Sequence, residues 1–182
     1  MDSPSPLPPH YSRRARRFHW WMFGFVALAY LVINLHDLFE RGTALRRATT
    51  QTHFLAGLVV LALVLPRLLH RLRNAPPPIV PPIATWEAWL SRLTHLLLYA
   101  FLIAQPLLGL LTVWLGGRGI GLPFTGLELP SPLTENHDMH EKLEDIHVWI
   151  GEAFYYVIGL HIVGALWHHY VRRDTTLRRI LG

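Results

Sequence analysis

Four stretches of this chain contain no Asp, Glu, Lys or Arg over nearly the length that crosses a bilayer. They cover residues 18–35, 49–66, 94–115 and 153–171. An α-helix needs roughly 20 apolar residues to cross about 30 Å of hydrocarbon, whereas a soluble domain would interleave polar residues at the helical period. The sequence therefore predicts an all-α integral membrane protein, built as a four-helix bundle.

Two of the spans differ in extent from these stretches. The second stretch opens with the polar residues 49–53, so we expect its span to run from about residue 52 to residue 69. The fourth is extended backwards by the apolar residues around Ile146. Both spans then have the length of a transmembrane helix.

The rest of the sequence consists of a tail and connections, without a second domain. Residues 1–12 are proline-rich, and we expect them to be disordered. Residues 74–83 form another proline-rich segment, which cannot continue either neighbouring helix. The segment 116–140 is rich in glycine and proline and is predicted to be a loop, apart from a short helix near its end. Residues 13–182 are therefore expected to form a single membrane domain.

Basic residues are concentrated at one end of the predicted bundle. Twelve of the 17 lysines and arginines lie in the amino-terminal tail, between the second and third spans, or after the fourth span. Because cytoplasmic loops carry the excess of Lys and Arg, both termini are predicted to lie in the cytoplasm. This bias, with attraction to anionic membrane lipid, accounts for the formal net charge of +5 without a nucleic-acid partner. We expect a multi-pass membrane protein.

A secretory signal peptide would also combine basic residues with an apolar run, as residues 13–30 do. A signal peptide needs a small-x-small cleavage site, but Asn34, His36 and Asp37 follow Tyr30 instead. We therefore expect this segment to remain in the protein as its first span.

Histidines lie inside or at the ends of the apolar stretches, where an ionisable side chain is costly and is a candidate for function. His147 and His161 are fourteen residues apart on the fourth span. On an α-helix this separation is about 21 Å and close to four full turns, so both rings lie on one face at different depths. His53 begins the second span from outside, and His19 opens the first from the cytoplasm. The four histidines thus form two pairs matched in depth, His53 with His147 and His19 with His161.

Two pairs of imidazoles at two depths are the arrangement that holds two stacked haems, each with a histidine on both sides of its iron. The chain has no cysteine, which excludes disulfides, iron–sulfur clusters and the covalent attachment of c-type haem. We therefore expect two haem b groups and outer-sphere electron transfer. The alternative is a non-redox membrane protein whose histidines pack or anchor at the interface.

Three of the predicted ligands are followed about one helical turn later by a glycine on the same face. These glycines are Gly57, Gly151 and Gly164. A missing side chain at these positions leaves room for the face of a porphyrin. The alternative is close helix packing through small residues, which is common in membranes.

Five other histidines are predicted to be solvated or interfacial, because they lie in polar or charged segments. They are His10, His36, His70, His137 and His140. The spacing of the last two would suit a metal on one helical turn, but no third ligand accompanies them.

Several short motifs occur in an order that resembles one family. They are Phe18-His19-Trp20, Thr52-His53-Phe54-Leu55-Ala56-Gly57, Pro66-Arg67-Leu68-Leu69-His70-Arg71, Leu93-Thr94-His95-Leu96, Gln105-Pro106-Leu107-Leu108-Gly109, Ile146-His147, Gly159-Leu160-His161 and Trp167-His168-His169-Tyr170. Together they resemble the bacterial cytochrome b561 family of four-helix, di-haem membrane proteins, and in particular its superoxide oxidase members. The resemblance extends over residues 10–177.

The resemblance implies a set of site residues. The family's axial ligands to haem iron fall on His19 with His161 and on His53 with His147. A ubiquinone site is implied near a haem, with His168 and His95 as candidates to donate a hydrogen bond to the quinone. Because His19 lies shallow in its span, His168 is also a rival to His161 as a haem ligand.

The resemblance also implies a reaction, since superoxide oxidases take electrons from superoxide outside and pass them to ubiquinone. Arg41, Arg46 and Arg47 in the first outer connection would attract this anion, but the segment 116–145 is acidic. The alternative is a cytochrome b subunit that relays electrons between a hydrogenase or dehydrogenase partner protein and quinone. The acidic segment would then be a docking surface, and a partner or loop would cover Glu152 in the fourth span.

Overall fold

Four long helices make up most of the chain in the computed structural model, which describes residues 10–182. They are α1 (Arg13–Leu35), α2 (Ala44–Arg73), α3 (Thr85–Leu115) and α4 (His137–Tyr170). The shorter elements are a 3₁₀ turn (His36–Leu38), strands β1 (Ile120–Gly121) and β2 (Glu128–Leu129), and α5 (Arg178–Leu181). Residues 1–9, most of the tail predicted to be disordered, lie outside the described residues.

Each of the four long helices is long and apolar enough to cross a membrane, which confirms the four predicted spans. Helix α2 begins before the predicted span, because the Thr43 side chain accepts a hydrogen bond from the backbone N–H of Arg46 and caps the helix. Pro66 lies inside α2 rather than at its end. Asn136 caps α4 in the same way, through the N–H of Met139.

The segment between α3 and α4 corrects the prediction of an all-α fold in one detail. It contains the antiparallel pair of β1 and β2, in which Ile120 lies opposite Leu129. Ile120 is buried, so this short hairpin packs its apolar side onto the bundle. The remainder of the segment has no regular structure up to Asn136, as its glycine and proline content predicted.

The helices pack in chain order, α1 on α2, α2 on α3 and α3 on α4. Side chains link α4 back to α1: the Tyr30 hydroxyl donates to the Gly151 carbonyl at 2.8 Å, and Asn34 donates to the Tyr155 hydroxyl at 2.6 Å. The first and last described residues lie at the same end of the bundle, here called the terminal end, where the backbone N–H of Tyr11 donates to the carbonyl of Arg179.

The core lies at mid-height between the four helices. Its buried residues are Met22, Val60, Val64, Phe101 and Leu102. Phe101 of α3 stacks on Phe154 of α4 with ring centres 4.0 Å apart and planes 14° apart. Many large apolar side chains point outwards instead, as expected for a surface that faces lipid.

The carboxyl-terminal segment and the linker between α2 and α3 form a cap over the terminal end of the bundle. Thr175 and Val80 exchange two hydrogen bonds of 3.0 Å. Arg172 donates to the buried carboxylate of Glu87 at 3.1 Å, and Glu87 also caps α3 through the backbone N–H of Ala84. The proline-rich linker is therefore held by hydrogen bonds although it is neither helix nor strand.

Candidate functional site

One histidine pair lies toward the end of the bundle opposite the termini. The rings of His53 on α2 and His147 on α4 have their centres 6.1 Å apart. The Nδ1 of His53 lies 3.0 Å from the carbonyl oxygen of Ala29, so Nδ1–H donates and Nε2 is left as a free ligand atom. Gln105 donates to the backbone carbonyl of His147 at 2.6 Å, which fixes this part of α4 against α3.

Gly109 on α3 makes the position of His147 sterically accessible. A Cβ atom at residue 109 would lie 3.0 Å from Cε1 of His147, closer than van der Waals contact allows. The sequence contains this glycine in a family motif, but periodicity alone does not show that it faces a ligand on another helix. It is a site residue that the pattern of histidines and following glycines missed.

The second histidine group lies toward the terminal end and has three members. The ring of His161 on α4 lies 6.3 Å from that of His19 on α1 and 5.5 Å from that of His95 on α3. The Nδ1 of His95 is 2.6 Å from the carbonyl of Ser91, which leaves its Nε2 free. His95 therefore lies nearer to His161 than His19 does. It is a rival to His19 as the partner of His161, which the sequence did not indicate.

The spacing of the two predicted pairs fits a haem iron between them. Two imidazoles bound on opposite sides of one metal, with bonds of about 2 Å each, have their ring centres about 6 Å apart. The centres of His53 and His147 are 6.1 Å apart and those of His19 and His161 are 6.3 Å apart. The buried Nδ1 of His147 has no hydrogen-bond partner among the described residues, and so the protein itself does not satisfy this imidazole.

The three glycines predicted to border the haem faces have different surroundings. A Cβ at Gly57 would meet a single atom, the Cβ of Pro106 at 4.0 Å, and one at Gly164 would meet nothing within 4 Å. A Cβ at Gly151 would lie 3.1 Å from Nε2 of Gln105. Space is thus open beside Gly57 and Gly164, whereas Gly151 allows close contact between α3 and α4.

His168, predicted as a quinone contact or rival ligand, lies near the end of α4 and pairs with a carboxylate. Its Nδ1 lies 2.5 Å from Oδ2 of Asp174, whose side chain is 1% exposed. Burial raises the pKa of Asp174, but hydrogen bonds from Thr176 and His168 outweigh burial and hold it below its ordinary value. This dyad was missed because a turn after α4 brings Asp174 back to His168.

The other histidines occupy several environments. His140, predicted to be solvated, is buried, and its Nδ1 donates to the carbonyl of Thr112 at 2.8 Å. The cause is that α4 already begins at His137, so His140 packs against α3. His36 is bonded to two threonines of α2, and His70 contacts Ser12 at 3.0 Å.

A cavity of about 440 Å³ opens at the end of the bundle away from the termini. It is lined by His36, Gly42, Arg46, Arg47, Thr50, Gln51, Phe54, Arg118, Gly119, Gly121 and Glu128. Three guanidinium groups make its lining basic, although Arg46 is paired with Asp37 at 2.9 Å. The ring of Phe54 lies 6.1 Å from that of His53, so the cavity adjoins the pair of His53 and His147.

Known proteins of one family are similar to this chain over nearly its whole length. The family model for prokaryotic cytochrome b561 matches residues 10–182. The chain is 32% identical over 163 residues to the probable superoxide oxidase CybB of Yersinia pestis, which covers 90% of each chain. It is 31% identical over 171 residues to cytochrome b561 homolog 1 of Escherichia coli (strain K12), covering 94% of this chain and 96% of the relative.

Four membrane-spanning helices that carry facing histidines define a membrane cytochrome of the b type. More particularly, the chain belongs to the prokaryotic cytochrome b561 family, which binds haem b and transfers electrons. This confirms the family predicted from the motifs, together with a multi-pass membrane location. The family assignment also disfavours the non-redox alternative.

We expect Gly109→Ala to displace the His147 ring, because its new Cβ would lie 3.0 Å from that ring. Overpacking of this kind costs about 1–3 kcal/mol and would lower haem content and the temperature of thermal unfolding. Gly159→Ala is the matched control, since a Cβ there would meet nothing within 4 Å. Unchanged haem content and haem electron paramagnetic resonance in Gly109→Ala would contradict this prediction.

Proposed function

We propose that the protein holds two haem b groups and transfers electrons from superoxide to ubiquinone. The observation that carries the proposal is the presence of two facing imidazole pairs with centres 6.1 and 6.3 Å apart. His53 and His147 would hold the outer haem iron, and His19 and His161 the inner one. When bound, these haems would supply single-electron carriers without an open coordination position for oxygen.

The chain's own residues would join the two sites. His147 and His161 both belong to α4, so one continuous helix fixes the depth of one ligand from each pair. Phe154 lies seven residues from each of these two ligands, and its stacking on Phe101 would help to keep water out of the centre of the bundle. Such a dry, rigid interior suits outer-sphere transfer, since little has to rearrange when charge moves.

The proposed orientation places the terminal end in the cytoplasm of a bacterial inner membrane. Twelve of the 17 basic residues lie in the segments at that end of the bundle, as the positive-inside rule requires. A cavity of about 690 Å³ there is lined by Arg13, Arg16, Arg17, Trp20, Trp21 and Leu181. Arginine with tryptophan suits contact with the headgroups of anionic membrane lipid.

At the outer end, the basic cavity would receive superoxide. Arg47 is exposed, and its charge, with that of Arg118, would raise the local concentration of a small anion beside Phe54 and His53. The reaction balances when two superoxide anions each lose one electron to form dioxygen. One ubiquinone gains these two electrons and takes up two protons to form ubiquinol.

At the inner end, His168 and Asp174 would hold and protonate the quinone. Asp174 accepts from Nδ1 of His168 at 2.5 Å, so it fixes the orientation of the ring and leaves Nε2 for a quinone oxygen. Protons are needed on this side because reduced quinone is basic. His95 is the second candidate contact, through its free Nε2.

The alternative function is that of a cytochrome b subunit that relays electrons between a partner dehydrogenase or hydrogenase and quinone. Two exposed features favour it. Glu152 lies in the membrane-spanning helix α4 with an exposed side chain, and Tyr156, one turn further, is 83% exposed. A partner helix packed on this face would cover both.

We expect the purified protein to contain two b haems per chain, measured by pyridine haemochrome assay. His53→Ala and His147→Ala should each remove the same haem, and His19→Ala and His161→Ala the other. His95→Ala and His168→Ala are the controls and should retain both. If His95→Ala instead loses the inner haem and His19→Ala keeps it, His95 is the partner of His161.

Reversal of charge at Arg47 should slow reduction of the protein by superoxide, by about tenfold at low salt. The rate of Arg47→Glu should also depend less on ionic strength, since attraction is screened within about 10 Å at 0.1 M salt. Arg41→Glu, which changes charge equally outside the cavity lining, should have a smaller effect. Stopped-flow absorbance measures both rates. No reduction by superoxide in the unmodified protein would favour the partner-dependent relay.

His168→Gln and Asp174→Asn should each slow electron transfer to ubiquinone by about tenfold, the worth of one charge-assisted hydrogen bond. Reduction of the protein by its donor should stay unchanged in both variants. His169→Gln is the matched control, because the ring of His169 lies edge-on to that of Tyr170 instead of pairing with Asp174. Normal quinone reduction by His168→Gln would remove the dyad from the quinone site.

A further inference from the structure

Arg67 turns its guanidinium into the bundle, although it lies in a helix that crosses the membrane. Its Nη2 is 3.3 Å from Nδ1 of His19, and its Nη1 is 3.4 Å from the sulfur of Met22. Its Cζ lies 5.4 Å from the centre of the Tyr99 ring. Within residues 10–182, no carboxylate lies within 4.0 Å of this guanidinium.

A charged group in this position needs an anion. Arginine stays protonated in proteins, and an unpaired charge in an apolar span is costly. Thioether sulfur, a phenol ring and a neutral imidazole supply weak acceptors without negative charge. Arg71, one turn further along α2, is by contrast exposed and can be solvated.

The contact with His19 is not compatible with the proposed role of that histidine as a ligand. A guanidinium only donates, so Nδ1 of His19 accepts from Arg67 only while the ring proton is on Nε2. An Nε2 that binds iron leaves the proton on Nδ1, which then becomes a donor. Arg67 therefore needs another acceptor whenever His19 serves as a ligand.

We propose that Arg67 binds a propionate carboxylate of the haem held by His19 and His161. This inference rests on the proposed function, since it requires a haem at that pair. The propionates are the anionic groups of haem b, and arginine binds carboxylates through two parallel hydrogen bonds. Arg67 would thereby gain a counter-ion inside the bundle, and the haem would be held in one orientation.

The test compares Arg67→Gln with Arg71→Gln in the holoprotein, by spectroelectrochemical titration and by the rate of haem transfer to apomyoglobin. Arg67→Gln should release the haem that His19→Ala removes about tenfold faster. It should also lower the midpoint potential of this haem, because loss of a nearby positive charge favours the ferric state. Arg71→Gln should change both quantities less.

Arg67→Lys keeps the positive charge but cannot form two parallel hydrogen bonds to a carboxylate. It replaces Arg67→Gln as the test variant if Arg67→Gln does not fold. It should hold the potential near that of the unmodified protein but release the haem faster. Equal potentials and release rates in the Arg67 and Arg71 variants would overturn this proposal while the haem assignment stands. Retention of both haems by His19→Ala and His161→Ala would instead overturn the assignment of that haem pair.

Discussion

A bilayer interior offers no hydrogen-bond partner to a polar group, and the whole structure depends on this constraint. It requires the backbone to be helical through each span, so α1 to α4 satisfy their own peptide groups. It also requires every polar side chain inside the bundle to find a partner there. The histidines meet this requirement in part through carbonyl groups, as His53 does with Ala29 and His95 with Ser91.

The polar groups inside the bundle that lack a partner lie at the candidate site. Among residues 10–182, the buried Nδ1 of His147 has no hydrogen-bond partner and the guanidinium of Arg67 has no carboxylate partner. His147 is itself one of the facing histidines, and Arg67 lies beside another, His19. In the proposed assignment, a haem between the helices would bind the free imidazole nitrogens through its iron and Arg67 through a carboxylate.

The two ends of the bundle differ in the chemistry they offer. The end opposite the termini has a basic cavity next to His53, and Glu128 of the acidic segment 116–145 also lines it. The terminal end has a cap in which buried Asp174 pairs with His168 and buried Glu87 pairs with Arg172. An anion would therefore be attracted at one end, while a group that takes up protons would be bound at the other. This difference supports the proposed transfer of electrons from one end of the bundle to the other.

The sequence by itself determined the number of spans, the family and the depth of the four central histidines. Length, absence of charge and a separation of fourteen residues are properties of one helix, and helix geometry converts them directly into depth. Contacts between distant segments were decided by the tertiary structure. Gly109 faces His147, His95 approaches His161, and Asp174 returns to His168, because helix rotation and turn geometry bring them together. These three contacts depend on how the apolar surfaces of the four helices pack together. The sequence does not show this packing, because hydropathy is nearly the same on every face of a span surrounded by lipid.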